Sequence, residues 1–320
     1  MVCRQVGALD GLTVEEGSEP VPGPGQVVVS VEAAGVNYVD ALFVQGRYQI
    51  KPPVPFTPGS EIAGTVALVG DGVEGWRAGD RVMAMTGLGG YAERVVVPAT
   101  SLVEVPEGVA LPAAAAFIQS YCTALFALTR RTRLDPGEHA LVLGAGGGVG
   151  LASIDVATAL GARAIGAAST PDKQRAARSM GAVEVVDYTT EDLKTRVREL
   201  TGRGADVVID PVGGPHAEPA LRSLRSLGRY LVIGFAAGPI PSLPLNQILL
   251  NNRTVVGVDW GSWALHNPAD QRSLLGELVE LVLGGRLHPP APDARPLDRV
   301  VGALEDLLGR RVTGKLVLVP

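Results

Sequence analysis

Only two cysteines, Cys3 and Cys122, occur in 320 residues. That is too few for a disulfide framework, and the opening residues show no charged-then-apolar leader pattern, so a reducing cytoplasm is the expected setting. Basic residues number 28 against 33 acidic ones, a net charge of −5, which gives no basic stripe for nucleic acid. No run of about 18 uninterrupted apolar residues occurs, so no membrane span is expected. The four histidines, His139, His216, His266 and His288, stand apart beside turn prolines, without the spacing of a metal-ligand cluster. Apolar residues, by contrast, make up 46% of the chain, and there are 41 glycines. A large core with many turns follows, and at this length a second domain beside any single sheet domain is expected.

The most informative stretch is Leu141–Gly150, a buried-strand pattern that breaks into a glycine turn and opens a helix. Such a turn presents backbone N–H groups to a pyrophosphate, here from Gly146, Gly147, Gly148 and Val149. Counted from Gly144, the spelling Gly-x-Gly-x-x-Gly fails at Val149, but Gly144, Gly147 and Gly150 supply the three roles. The first tightens the turn, the second lets phosphate approach, and the third lets helix and strand pack closely. Further apolar runs at 163–168, 184–187, 206–209, 229–233 and 254–258 alternate with helical stretches, which means a doubly wound parallel α/β sheet. Val149, Ala152, Val156 and Leu160 form one helical stripe closed by Gly161. Thr170–Pro171 reads as the N-cap and first turn of the next helix.

The first 120 residues read differently. Val27, Val29 and Val31 alternate, and 61–69, 80–85 and 91–97 are further strand candidates between prolines, so this region is β-rich. Beyond residue 260 come helices near 272–283 and 297–308 and a strand at 315–319, too short a tail to bury a core alone. The expected organisation is therefore a catalytic domain in two parts, 1–122 and 260–320, with a dinucleotide domain, 123–259, inserted between them and the substrate in the cleft.

Five motifs in order carry a family resemblance: Gly35–Asp40, Pro58–Gly64, the glycine turn, Asp206–Gly214 and Gly314–Leu318. The chain resembles the zinc-independent quinone oxidoreductase branch of the medium-chain dehydrogenase/reductase superfamily, nearly end to end. The resemblance implies a GroES-like catalytic domain, a Rossmann domain, NADPH as cofactor and a homodimer. Zinc-dependent relatives carry cysteine where Asn37 stands, histidine where Ser60 stands, and a lobe with four closely spaced cysteines; this chain has none of these. Without a Lewis acid, alcohol oxidation is disfavoured, and reduction of an electron-poor acceptor remains.

The dinucleotide follows from Ala167–Thr170, where an NAD site places a carboxylate for the ribose hydroxyls and this chain has none. Ser169 offers a hydroxyl and Lys173 a cation, which favours NADPH, while Asp172 serves the helix dipole. By resemblance, Tyr188 flanks the adenosine phosphate, Thr123 lies near the nicotinamide or the phosphates, and Phe235 stands in a loop that meets the carboxamide. Val212 lines the cofactor cleft with Asp210 holding its loop, and Lys315 adds charge near the phosphates. Asn37 and Tyr48 are the nominated hydrogen-bond donors to the acceptor or the nicotinamide ribose, and Asp40 is expected to anchor Arg47 or a turn. The expected activity is hydride transfer to a quinone. An enoyl-thioester or enone reductase, and a non-catalytic NADPH-binding protein, are the alternatives.

Overall fold

Alternating valines make Gln26–Val36 the longest strand of the first unit, eleven residues, most of them buried. In this computed structural model, which describes residues 1–320, that strand pairs antiparallel with Glu61–Val69, Arg94–Pro98 and Leu316–Val319. Arg81–Met85 and Leu102–Glu104 extend the sheet on one side and Asp293–Pro296 on the other. One core of Val27, Val29, Ile62, Val82, Tyr91, Val300, Leu304, Leu316 and Leu318 fills this unit. The chain's last segment, Pro290–Pro320, is thus a structural part of the first unit. Tyr91, expected in a strand, lies just outside one.

The second unit is the parallel sheet. Its strands are β1 (His139–Leu143), β2 (Arg163–Ala167), β3 (Glu184–Val186), β4 (Ala205–Asp210), β5 (Leu224–Val232) and β6 (Thr254–Gly257). They pair in the order β3-β2-β1-β4-β5-β6, all parallel, the doubly wound arrangement with its switch point between β1 and β4. Four helices make the first four connections, α1 (Gly148–Ala159), α2 (Pro171–Ser179), α3 (Leu193–Thr201) and α4 (Ala217–Ser223), and a short helix, Leu245–Leu249, lies between β5 and β6. Helix α1 packs on α2, and α3 on α4. Central strands are covered on both faces, which is why β4 is buried at every residue. Edge strand β6 is mostly exposed.

The two units comprise Met1–Gln119 with Pro290–Pro320, and Ser120–Pro289. The second unit therefore runs past the expected boundary at 260 by two helices, Trp260–His266 and Pro268–Leu283. Helix Pro268–Leu283 finds its partners in the second unit: Glu277 pairs with Arg130, Gln271 accepts from Trp260 Nε1 at 2.7 Å, and just before the helix Trp263 packs on Phe126 at 4.6 Å between ring centres. Near each end of this unit one residue reaches the same buried carboxylate. Asp155 Oδ2 on α1 accepts from the Tyr121 hydroxyl at 2.8 Å and from the His288 N–H at 2.7 Å. No helix is long and apolar enough to cross a membrane.

Candidate functional site

The glycine turn after β1 divides its labour as its spacing implies. Gly144 has φ +59°, a left-handed turn that favours glycine. A Cβ on Gly150 would stand 2.2 Å from the Gly144 carbonyl oxygen, so α1 can approach β1 only without a side chain there. Gly147 caps α1, and a Cβ on it would meet nothing nearer than 3.5 Å, leaving open space above the turn. Its own N–H closes the turn on Gly144 O at 2.9 Å. Gly148 and Val149 stand in the first turn of α1, where backbone N–H groups have no partner within the helix.

Beyond β2, Thr170 caps α2 by accepting from Lys173 N, and Asp172 pairs with Arg175 on the exposed helix surface. The stem of Lys173 lies directly against Gly146, where a Cβ would come within 2.4 Å of Lys173 Cβ and Cγ. Turn and lysine are thus in van der Waals contact. Half-buried Ser169 stands at the end of β2, and Gln174 ties that end to β3 through Asp187 Oδ2 at 3.0 Å. Tyr188, just past β3, packs its ring on His216 with centres 4.4 Å apart.

The loop after β4 meets the same turn, and the loop after β5 meets that loop. Asp210, 2% exposed, accepts from the N–H groups of Val212 and Gly213 at 2.8 Å each, and Tyr230 donates to its other oxygen. The carboxylate therefore holds this loop, as expected. Val212 sits against Gly144, Phe235 against Gly213, and Ala237 N donates to Val212 O at 2.8 Å. Within this unit, then, Gly146, Gly147, Gly148, Val149, Ser169, Lys173, Tyr188, Val212 and Phe235 all gather at the carboxyl ends of the strands, where doubly wound sheets bind ligands. Thr123 is buried on the helix Ile118–Phe126.

The first unit holds a buried polar cluster. Asn37 caps the helix Tyr38–Val44, and its N–H donates to Asp40 Oδ2 at 2.8 Å, one half of a capping box. The Asn37 amide donates to Glu61 Oε1 at 2.9 Å and to Ser60 Oγ at 3.3 Å, and it accepts from Lys315 Nζ at 2.5 Å. Lys315 also donates to Glu61 Oε1 at 2.7 Å and to Val36 O at 3.4 Å. Gln119 closes the far side: its N–H donates to Glu61 Oε2 at 2.9 Å and its Oε1 accepts from Ser60 at 3.1 Å. The Tyr91 hydroxyl donates to Asp40 Oδ2 at 2.9 Å, while Asp40 Oδ1 is buried without a hydrogen-bond partner. Burial pushes the Asp40 carboxyl up to about 6, against the pull of Asn37 N–H, the Tyr91 hydroxyl and the Lys315 charge. Burial also raises the Tyr91 hydroxyl, with the Asp40 charge adding to it, so Tyr91 remains a donor.

Two expectations change here, and a third is narrowed. Lys315, expected to add charge near the phosphates, is engaged instead by three buried acceptors, one for each hydrogen of its ammonium. Both amide hydrogens of Asn37 are engaged by Glu61 and Ser60, so its observed role is to organise the cluster rather than to donate to an acceptor. Of the two expected partners of Asp40, the backbone turn is the one observed: Asp40 accepts from the Asn37 N–H at the helix start and from Tyr91, while the Arg47 guanidinium turns to Gln45. Tyr48 is half-buried, edge-on to Phe43 with ring centres 4.9 Å apart. Sequence reasoning missed Gln119, Tyr91 and His216, none of which lies at a motif spacing. It quoted Glu61 only as part of Pro58–Gly64.

Known proteins resemble this chain along nearly its whole length. Residues 23–107 match the alcohol dehydrogenase GroES-like domain, and residues 148–279 match the zinc-binding dehydrogenase family model. The quinone oxidoreductase-like protein 2 of Bos taurus is 41% identical over 310 residues, 96% of this chain and 88% of the relative. A quinone oxidoreductase structure from Pseudomonas syringae superposes with TM-score 0.92 at 34% identity, covering 100% of this chain and 98% of the other. The Escherichia coli quinone oxidoreductase complexed with NADPH gives 0.91 at 28%, covering 100% and 99%. The chain therefore belongs to the zinc-independent quinone oxidoreductase branch of the medium-chain dehydrogenase/reductase superfamily.

Proposed function

We propose that this protein is an NADPH-dependent oxidoreductase that reduces a quinone without zinc. The observation that carries the cofactor half of this reading is the end of β2. No carboxylate stands at 167–170 to accept from a ribose 2′-hydroxyl or to repel a 2′-phosphate, and Lys173 is laid against the phosphate turn at Gly146. The turn itself fits a dinucleotide, since the side-chain-free space over Gly147 and the first-turn N–H groups are what a pyrophosphate requires. When bound, NADPH supplies hydride to an electron-poor acceptor. Ser169 and Lys173 receive the 2′-phosphate, and Val212 and Phe235 position the nicotinamide half.

The zinc-free reading rests on the chemistry of the Asn37 cluster. At the two positions where metal-dependent relatives keep cysteine and histidine, an amide and a hydroxyl bond to each other, and the Lys315 ammonium lies 2.5 Å from that amide. The chain supplies its own cation there, which would repel a divalent ion. With the Asn37 hydrogens engaged, Tyr48 is the donor we assign to the oxygen of the reduced acceptor.

A second copy of the chain is the proposed partner. Strand β6 ends the sheet with its edge open, and Ile240, Leu245, Leu249 and Leu250, close to it in sequence, are among the most exposed large apolar side chains. Steady-state rates decide the function: NADPH is expected to outperform NADH tenfold or more, and 1,4-naphthoquinone to outperform crotonyl-CoA. A tenfold preference for the thioester would replace the quinone with an enoyl substrate, and cofactor binding without turnover would remove the enzyme.

A further inference from the structure

The Tyr188–His216 contact joins two loops that the sheet holds apart. Tyr188 follows β3 and His216 follows β4, and in the order β3-β2-β1-β4 two strands stand between them. Three strand spacings amount to about 14 Å. Yet the ring centres are 4.4 Å apart and tilted by 47°. The loops that carry them lead into α3 and α4, which pack together, and this brings the two rings into contact despite the strand spacing. Helices α3 and α4, which these loops lead into, pack together on one side of the sheet, while α1 and α2 pack together as a separate pair. On the α1 and α2 side of the same crevice lie the glycine turn, Ser169 and Lys173.

We infer that Tyr188 and His216 together form the aromatic wall against which the adenosine half of the dinucleotide lies, and that His216 is a specificity-determining residue for that half. The inference rests on the NADPH reading above. A nucleoside running from the pyrophosphate at α1 toward a 2′-phosphate at Lys173 passes over the ends of β1 and β2, and Asp187, next to Tyr188, is tied to α2 beside Lys173 through Gln174 at 3.0 Å, which sets the paired rings beside that path. His216 contributes a flat face there and fixes the ring of Tyr188, which is half-buried and has no strand neighbour on its far side because β3 is the sheet edge. The nicotinamide half falls to Val212 and Phe235, so the two halves are recognised by different side chains.

The test uses fragments of the dinucleotide and calorimetry on the full chain. Adenosine 2′,5′-bisphosphate, 5′-AMP and nicotinamide mononucleotide are titrated into wild type, His216→Ala, His216→Phe, Tyr188→Ala and the alanine double variant. His216→Ala is expected to weaken the bisphosphate about five- to tenfold and to leave the mononucleotide unchanged. His216→Phe, which keeps a flat ring, is expected within about twofold of wild type. The double variant should lose less than the product of the two single losses, because the rings act as one surface. Unchanged bisphosphate binding in a folded His216→Ala protein would overturn the inference. Should the alanine variant not fold, a tenfold loss in His216→Phe overturns it equally. A wild type that binds 5′-AMP as tightly as the bisphosphate would instead defeat the NADPH reading and leave the aromatic wall standing.

Discussion

Lys315 Nζ lies 2.7 Å from Glu61 Oε1 with the lysine side chain 9% exposed and the glutamate 1%. A buried pair of this kind contributes little net stability while intact, but removing one partner strands the other charge. Lys315→Met is therefore expected to cost about 3–5 kcal/mol in urea unfolding. Adding Glu61→Gln should recover part of that loss, and affinity for NADPH should change less than twofold in both. A large loss of cofactor affinity in a fully folded Lys315→Met protein would return the lysine to the phosphates.

The Asp40 carboxyl, raised from 3.8 to about 6 by burial, makes a pH-dependent contribution of definite sign. The folded state holds this proton more tightly than the unfolded chain, so the contribution is full below pH 3.8 and is lost as pH rises to about 6. At 1.36 kcal/mol per unit the interval is worth about 3 kcal/mol. Asp40→Asn cannot ionise, so its stability relative to wild type should improve between pH 4 and pH 7 and then level off. Equal differences from wild type at both pH values, by urea titration, would refute this.

Lys173→Met should weaken NADPH ten- to a hundredfold, since charge-assisted contacts are worth about 1.5–3 kcal/mol. NADH, lacking the 2′-phosphate, should be affected less than threefold. Calorimetric titration of both cofactors provides the comparison.

Two glycines of one turn should fail differently. Gly150→Ala sets a Cβ 2.2 Å from a backbone oxygen and should lower Tm by several degrees or prevent folding. Gly147→Ala finds 3.5 Å of space in the fold and should leave Tm nearly unchanged, while weakening NADPH at least tenfold by filling the phosphate's place. Thermal melts and cofactor titrations on the same preparations separate the two.

If β6 pairs with its copy, Val255→Pro and Ile240→Lys should each shift sizing-column elution from dimer to monomer. An unchanged elution volume for both would place any dimer contact elsewhere.

The inserted domain was legible because its period is local: each strand, cap and glycine of 141–258 announces itself within a few residues, and Gly144, Gly147 and Gly150 occupy their expected places. The Asn37 cluster was not. Asn37, Glu61, Gln119 and Lys315 are brought together from far-apart positions by antiparallel pairing of Gln26–Val36 with strands before and after the insertion, and no spacing rule reports such a meeting. The domain boundary at 289 was hidden for a related reason. The pattern of Pro268–Leu283 shows an amphipathic helix, but only its tertiary partners reveal which core receives its apolar face.

Because Tyr121 and His288 grasp one oxygen of Asp155, the polypeptide enters and leaves the nucleotide-binding module at nearly a single point. A module whose ends meet in this way can be excised and grafted as a block, since its host needs to open only one peptide junction to accept it.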